Sequence, residues 1–272
     1  MSMFRRFCAV TLTALALILV AAPGASAHPA PQHRGGHHKS PHRSYVALGD
    51  SFAAGTGAAP ATDACGRSNL AYPRLLAQAA RLQLTTLACA GATMPDVATK
   101  QLPSVSSSAR YVSVQAGGND IGFTQVFGLC AQKDNDDECA AAVAQSTAYM
   151  NSTFTGQASA LFAAVRQSAP QARVVVVGYP RLFSGKNCSP LVDYSAKEQR
   201  IMNGAIDLLN TRLSQAAASV GARFANPTKS FKNHAWCARL PWITGPESPV
   251  AFHPNALGQV LGYLPTVASK FL

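Results

Sequence analysis

Three short apolar runs stand out along the chain: SYVALG at 44–49, RYVSVQ at 110–115 and RVVVVG at 173–178. Each is rich in β-branched or aromatic residues and lacks the alternation of a half-exposed strand, so each reads as a strand buried on both faces. Weaker strand signals lie at 84–88 and 222–225. Between them the apolar positions follow a helical period. Tyr72, Leu75, Leu76, Ala79 and Leu82 share one face, and Ala158, Leu161, Phe162 and Val165 share another. The clearest helix opens at Ser195, where Ser195 and Glu198 have the spacing of a capping box, and continues through Ile201, Ala205, Leu208, Leu209 and Leu213. Strand and helix alternate throughout. This predicts an α/β fold with a central parallel sheet, right-handed crossovers, and chemistry at the carboxyl ends of the strands.

The amino-terminal stretch follows neither pattern. Residues 1–27 carry Arg5 and Arg6, an apolar run over 9–22 and then Ala25-Ser26-Ala27, the order of a cleaved secretory signal peptide. That run is too short for a membrane-spanning helix, and no later segment supplies one. Residues 28–43 hold five of the seven histidines with almost no aliphatic side chains, which reads as a disordered linker. The same tract also fits a metal-binding or anion-binding tail. A single domain over 44–272 follows, in a secreted, extracellular protein expected to be a monomer.

The chain carries 23 Lys and Arg against 12 Asp and Glu, and the domain itself 18 against 12. The basic residues are scattered along the sequence, with no clustered stripe and no interleaved aromatics, which argues against a nucleic-acid partner. Charge of this sign still suits anionic surfaces such as phospholipid or cell-wall polymer. Of seven cysteines, Cys8 lies in the signal, and six remain for an oxidising destination. Six thiols allow fifteen pairings. Sequence order favours three consecutive bridges, Cys65 to Cys89, Cys130 to Cys139 and Cys188 to Cys237. No cysteine or histidine spacing suits zinc, and neither a metal nor a cofactor is called for.

Ser51 directly follows the first strand, in Gly49-Asp50-Ser51, at the start of what reads as a helix. Backbone N–H groups point outward there and stabilise negative charge, although Asp50 and Ser51 also suit a simple helix cap. The string is not the G-x-S-x-G elbow of α/β-hydrolases. A serine nucleophile needs a base, and the domain has two histidines, His234 and His253. His253 precedes Pro254 in a loop ahead of the last helix and is the preferred base, whereas His234, beside Trp236 and Cys237, reads as a packing residue. The third strand ends in Gly117-Gly118-Asn119-Asp120, where the Asn119 amide is placed to donate to a developing oxyanion. Gly91, after the second strand candidate, is similarly placed to offer its N–H.

Together these four blocks resemble the SGNH family, also called GDSL hydrolases, and are most similar to secreted actinobacterial lipases and esterases. The resemblance covers nearly all of 44–272. It implies a three-layer α/β/α sandwich like flavodoxin, with Ser51 as nucleophile. The Ser51 N–H, the Gly91 N–H and the Asn119 amide would form the oxyanion hole. One departure stands out: the family's acid three residues before the histidine is replaced by Val250. A backbone carbonyl, that of Val250, is therefore expected to orient His253, with Glu247 as the other candidate.

The expected reaction is acyl transfer on a carboxylic ester. Ile121, Phe123, Val126, Phe127 and Leu129 either line an apolar acyl groove or pack in the core. The groove reading favours fatty-acyl esters or lipids. Trp236 and Trp242 either stack on sugar rings, as an acetyl-carbohydrate esterase would need, or are structural. A phospholipase A and a non-catalytic wall-binding module of the same fold are the other readings. The acidic run over 134–138 reads as a solvated loop rather than a calcium site.

Overall fold

The computed structural model describes residues 43–271. The expected signal peptide and nearly all of the histidine-rich linker lie outside the described residues.

Five parallel strands form one sheet: β1 (Ser44–Gly49), β2 (Gln83–Thr86), β3 (Tyr111–Gln115), β4 (Arg173–Val177) and β5 (Arg223–Ala225). Their spatial order is β2-β1-β3-β4-β5, with every neighbouring pair parallel. The three strong strand signals fall at the centre of the sheet, where β1, β3 and β4 are buried along nearly their whole length. The two weaker ones are the edges, shorter and half exposed, and β2 begins one residue before the expected run and ends two residues earlier. A central parallel strand must be apolar on both sides, which is why its signal is the more legible.

The helices are α1 (Ser51–Ala54), α2 (Tyr72–Ala80), α3 (Met94–Asp96), α4 (Phe123–Cys130), α5 (Asp136–Tyr149), α6 (Thr155–Ser168), α7 (Ala196–Ser219) and α8 (Leu264–Phe271). From β1 the chain steps outward to β2, then returns past β1 to β3 and continues the other way to β4 and β5. Right-handed crossovers in opposite directions put their helices on opposite faces. Accordingly α2 packs with α8, while α5 and α6 pack with α7. The reversal opens a crevice between the carboxyl ends of β1 and β3, the place where open α/β sheets bind ligands.

Ser195 caps α7 as its spacing implies: its hydroxyl accepts from the Glu198 N–H, and the Glu198 carboxylate accepts from the Ser195 N–H. Such a cap contributes about 1 kcal/mol. The buried face of α7 is shifted from the expected one. Met202, Ala205, Ile206, Leu209 and Leu213 are buried, whereas Ile201 and Leu208 lie at its margin.

Three disulfides join Cys65 to Cys89, Cys130 to Cys139 and Cys188 to Cys237. All three tie loops and helix ends rather than strands. Asp136, Asp137 and Glu138 form the first turn of α5, where negative charge favours a helix amino terminus. Among the described residues no helix is long and apolar enough to cross a membrane.

Candidate active site

β1 ends at Gly49, whose φ of +136° and close approach to β3 admit no side chain: a Cβ there would lie 2.1 Å from the Gln115 carbonyl oxygen. This glycine lets the chain leave the sheet directly into Asp50 and Ser51. Asp50 caps α1, its carboxylate accepting from the Phe52 N–H at 2.9 Å, and Ser51 is the first residue of the helix. The Ser51 N–H is thus one of the helix's amino-terminal donors without an intrahelical acceptor.

Ser51 and His253 are 202 positions apart in sequence, yet the Ser51 Oγ lies 2.7 Å from His253 Nε2. The loop carrying His253 is held by Thr244. The Thr244 hydroxyl donates to the Val250 carbonyl at 2.7 Å and accepts from the His253 N–H at 3.0 Å, while backbone bonds run from the Thr244 N–H to the His253 carbonyl and from the Phe252 N–H to the Thr244 carbonyl. Phe252 itself is buried with φ +58°, a conformation that costs a non-glycine residue about 1–3 kcal/mol. It is held there by aromatic contacts with Phe127, Phe183, Tyr194 and Trp236.

The orienting group differs from the expectation. His253 Nδ1 lies 2.9 Å from the Ala251 carbonyl, not that of Val250. The Val250 carbonyl is engaged by the Thr244 hydroxyl and acts on the imidazole only as a lesser influence. The turn at Phe252 brings the carbonyl two positions back, rather than three, against the ring. Glu247 is exposed and makes no bond to the imidazole. Burial pulls the His253 pKa below its ordinary value, with the Ala251 and then the Val250 carbonyl opposing. The imidazole is therefore neutral near pH 7, able to accept a proton at Nε2 and donate from Nδ1.

The other two blocks converge on the same point. Asn119 donates one amide hydrogen to the Ala92 carbonyl at 2.9 Å, and the neighbouring Asp120 carboxylate accepts from the Met94 N–H at 3.0 Å. These bonds fix the turn at 117–120 against the turn at 91–94. Gly91 has φ +79°, a left-handed turn that favours glycine, and no acceptor for its N–H among the described residues. Ser51, Gly91, Asn119 and His253 all line one cavity of about 570 Å³.

The rest of this cavity is largely apolar. Phe123 and Phe127 of α4, Tyr179, Tyr194, Val192 and Phe252 form its walls. The expected groove residues thus divide. Phe123 and Phe127, one helical turn apart, face the cavity; Ile121 and Val126 are buried in the core, and Leu129 is exposed. Trp236 and Trp242 are buried packing residues, the latter stacked on His234 with ring centres 3.7 Å apart. His234 is thereby accounted for without a catalytic role.

A buried network escaped the sequence reading. Tyr179 follows β4 and donates its hydroxyl hydrogen to Asp50 Oδ2 at 2.5 Å, while that hydroxyl accepts from the Gly118 N–H at 3.3 Å. Burial raises the Asp50 pKa to about 7, against the lowering effect of its bonds from Tyr179 and Phe52. Nothing in the local sequence GYPRL signals this contact, which only the sheet order creates. Gln101 and Gln259 are likewise structural ties that the sequence did not signal. Gln101 pairs its amide with both backbone groups of Gly49, and Gln259 joins the Phe52 carbonyl to the Tyr72 N–H.

Comparison with known proteins identifies the family. Residues 47–261 match the GDSL-like Lipase/Acylhydrolase family. A lipase of Streptomyces rimosus is 37% identical over 234 residues, covering 83% of this chain and 85% of its own. The crystal structure of phospholipase A1 from Streptomyces albidoflavus superposes with a TM-score of 0.79 at 36% identity, over 84% of this chain and 99% of that one. An acetylxylan esterase from Geobacillus stearothermophilus shares the fold alone, with a TM-score of 0.53 at 15% identity over 84% of this chain and 94% of that one. With a parallel sheet of this order, a serine two residues past the end of its first strand and a match over most of its length, the chain belongs to the GDSL-like lipase/acylhydrolase family.

Proposed function

We propose that the protein is a secreted hydrolase of fatty-acyl esters that works through a Ser51–His253 pair. The observation that carries this reading is the 2.7 Å contact between Ser51 Oγ and His253 Nε2 on the wall of an apolar cavity. His253 takes the Ser51 proton as the hydroxyl attacks the ester carbonyl, and the imidazolium is stabilised through Nδ1–H by the Ala251 carbonyl. The charge on the tetrahedral oxygen is received by the Ser51 N–H, the Gly91 N–H and the free hydrogen of the Asn119 amide. The proton passes to the leaving alcohol. Water then enters and attacks the acyl-enzyme carbonyl as His253 accepts its proton; the imidazolium returns that proton to Ser51 Oγ as the acyl group leaves as the acid.

Phe123, Phe127, Val192 and Phe252 support a long acyl chain over an acetyl group, since an acetyl group would leave their apolar surface uncovered. The phospholipase A1 neighbour favours phospholipid among the lipid esters. Six cysteines in three disulfides, together with the charged, apolar and small-residue order of 1–27, support export to an oxidising compartment. The deciding experiment is hydrolysis of p-nitrophenyl esters of graded chain length, with phosphatidylcholine and acetylxylan as further substrates and Ser51→Ala as control. Rates that rise from acetyl towards longer acyl chains and vanish in Ser51→Ala are expected. Hydrolysis that persists in Ser51→Ala would overturn the mechanism, and a preference for acetylxylan would overturn the substrate class.

A further inference from the structure

A second cavity, of about 940 Å³, lies outside the ester site. Six cations line it: Arg181, Lys186, Arg200, Lys229, Lys232 and Arg239. Among the described residues no carboxylate lines it, and only Arg181 is paired, with Asp207 at 2.6 Å. The other five have no ion pair among the described residues. The domain as a whole has 18 lysines and arginines against 12 acids, so this one cavity holds nearly the whole surplus. The sequence shows these residues as scattered over about sixty positions. The fold brings them together, because the segment after β4, the start of α7 and the loop after β5 meet at one end of the sheet.

We propose that this cavity binds the phosphate groups of an anionic lipid surface. Five unpaired cations without a counter-charge concentrate a positive field and attract a polyanion. Two further observations favour a lipid surface over a soluble one. Cys237, which lines the cavity, is bonded to Cys188, and an exposed leucine lies three residues beyond each of these cysteines. Leu191 is 71% exposed and Leu240 51%, and three residues reach at most about 11 Å, so both flank this end of the cavity. Cations interspersed with exposed leucines suit a surface that offers both phosphate and hydrocarbon.

The second observation is continuity with the ester site. Val192, next to Leu191, lines the apolar cavity, and Phe183, which lines the basic one, packs against Phe127 and Phe252 of the apolar cavity. A surface held at the cations would therefore lie beside the mouth of the ester site. The binding itself does not depend on chemistry at Ser51.

The test uses the Ser51→Ala protein, so that vesicles are not consumed. Sedimentation is measured with phosphatidylcholine vesicles, with and without phosphatidylglycerol. One variant carries Arg200→Gln, Lys229→Gln and Lys232→Gln. A second, with the same loss of charge elsewhere, carries Arg74→Gln, Arg166→Gln and Lys270→Gln. Preference for the anionic vesicles is expected, weakened roughly 10-fold to 100-fold in the first variant and nearly unchanged in the second. Equal weakening in both, or no preference in the parent protein, would overturn the site. Soluble polyphosphate that binds as tightly as the anionic vesicles would overturn the lipid surface as its ligand. On the Ser51 background, the first variant is expected to cleave a soluble short-chain ester at the parent rate. A parent that cleaves no ester refutes the hydrolase reading and leaves the vesicle result to stand or fall alone.

Discussion

The hydroxyl of Tyr179 joins two halves of the site, donating to Asp50 beside Ser51 while accepting from the Gly118 N–H beside Asn119. Asp50 therefore caps α1 and is itself positioned from β4. The proposed oxyanion donors come from three separate turns, and this bond, with those from Asn119 to Ala92 and from Met94 to Asp120, sets their spacing.

Tyr179→Phe keeps the ring contacts with Phe52 and Phe123 but removes both hydroxyl bonds. Turnover is expected to fall roughly 10-fold to 100-fold with little change in KM, since small displacements of donors act on the transition state. Steady-state kinetics on a soluble ester checks this. An unchanged kcat would show that the bond does not position the site.

Asn119→Ala removes a proposed donor to the oxyanion, and kcat is expected to drop on the order of 10² to 10³. KM should hold, because the ground-state carbonyl makes the weaker bond. A rise in KM at constant kcat would assign Asn119 to substrate binding instead.

Two groups in the site respond to pH in opposite senses. His253 titrates below the ordinary histidine value, so kcat/KM is expected to rise with pH through a midpoint below 6.5 and then level off. Asp50, with its pKa raised from 3.8 to about 7, holds a proton in the folded state that the unfolded chain has already released. Its contribution makes stability fall as pH rises between these values, by on the order of a few kcal/mol. Asp50→Asn should remove that decline. Denaturant unfolding of both proteins across the window compares them directly, and parallel curves would contradict the assignment.

Glu247→Ala should retain near-wild-type activity, because His253 Nδ1 is held by the Ala251 carbonyl. Thr244→Val, in contrast, removes the hydroxyl that joins Val250 to the His253 N–H, and about a 10-fold loss in kcat is expected, restored by Thr244→Ser. A large loss in Glu247→Ala would return the orienting role to the carboxylate.

Phe252→Ala leaves the main chain in its left-handed turn and deletes the ring that holds it there. A destabilisation of about 3–5 kcal/mol is expected from the lost aromatic packing, read by thermal or denaturant unfolding.

The sequence was legible where a single position carries the meaning. Ser51 and Asn119 announce themselves because each follows a central strand, and such strands have the strongest apolar signal. The parts that were not legible depend on geometry across the chain. Ala251 was not among the expected orienting groups, Val250 and Glu247, because finding it required the φ of Phe252, a turn no propensity assigns to phenylalanine. Telling Phe123 and Phe127 from Val126 required knowing which face of α4 meets the core. The basic cavity was hidden for the same reason, since Arg181 and Lys232 become neighbours only through the order of the strands.

The proposed nucleophile comes from the turn of helix after the first strand and its base from a loop 202 positions later. A chain caught part-way through folding thus carries only an inert alcohol. On the proposed mechanism, reactivity switches on only when the His253 loop docks, so turnover would double as a reporter of complete folding.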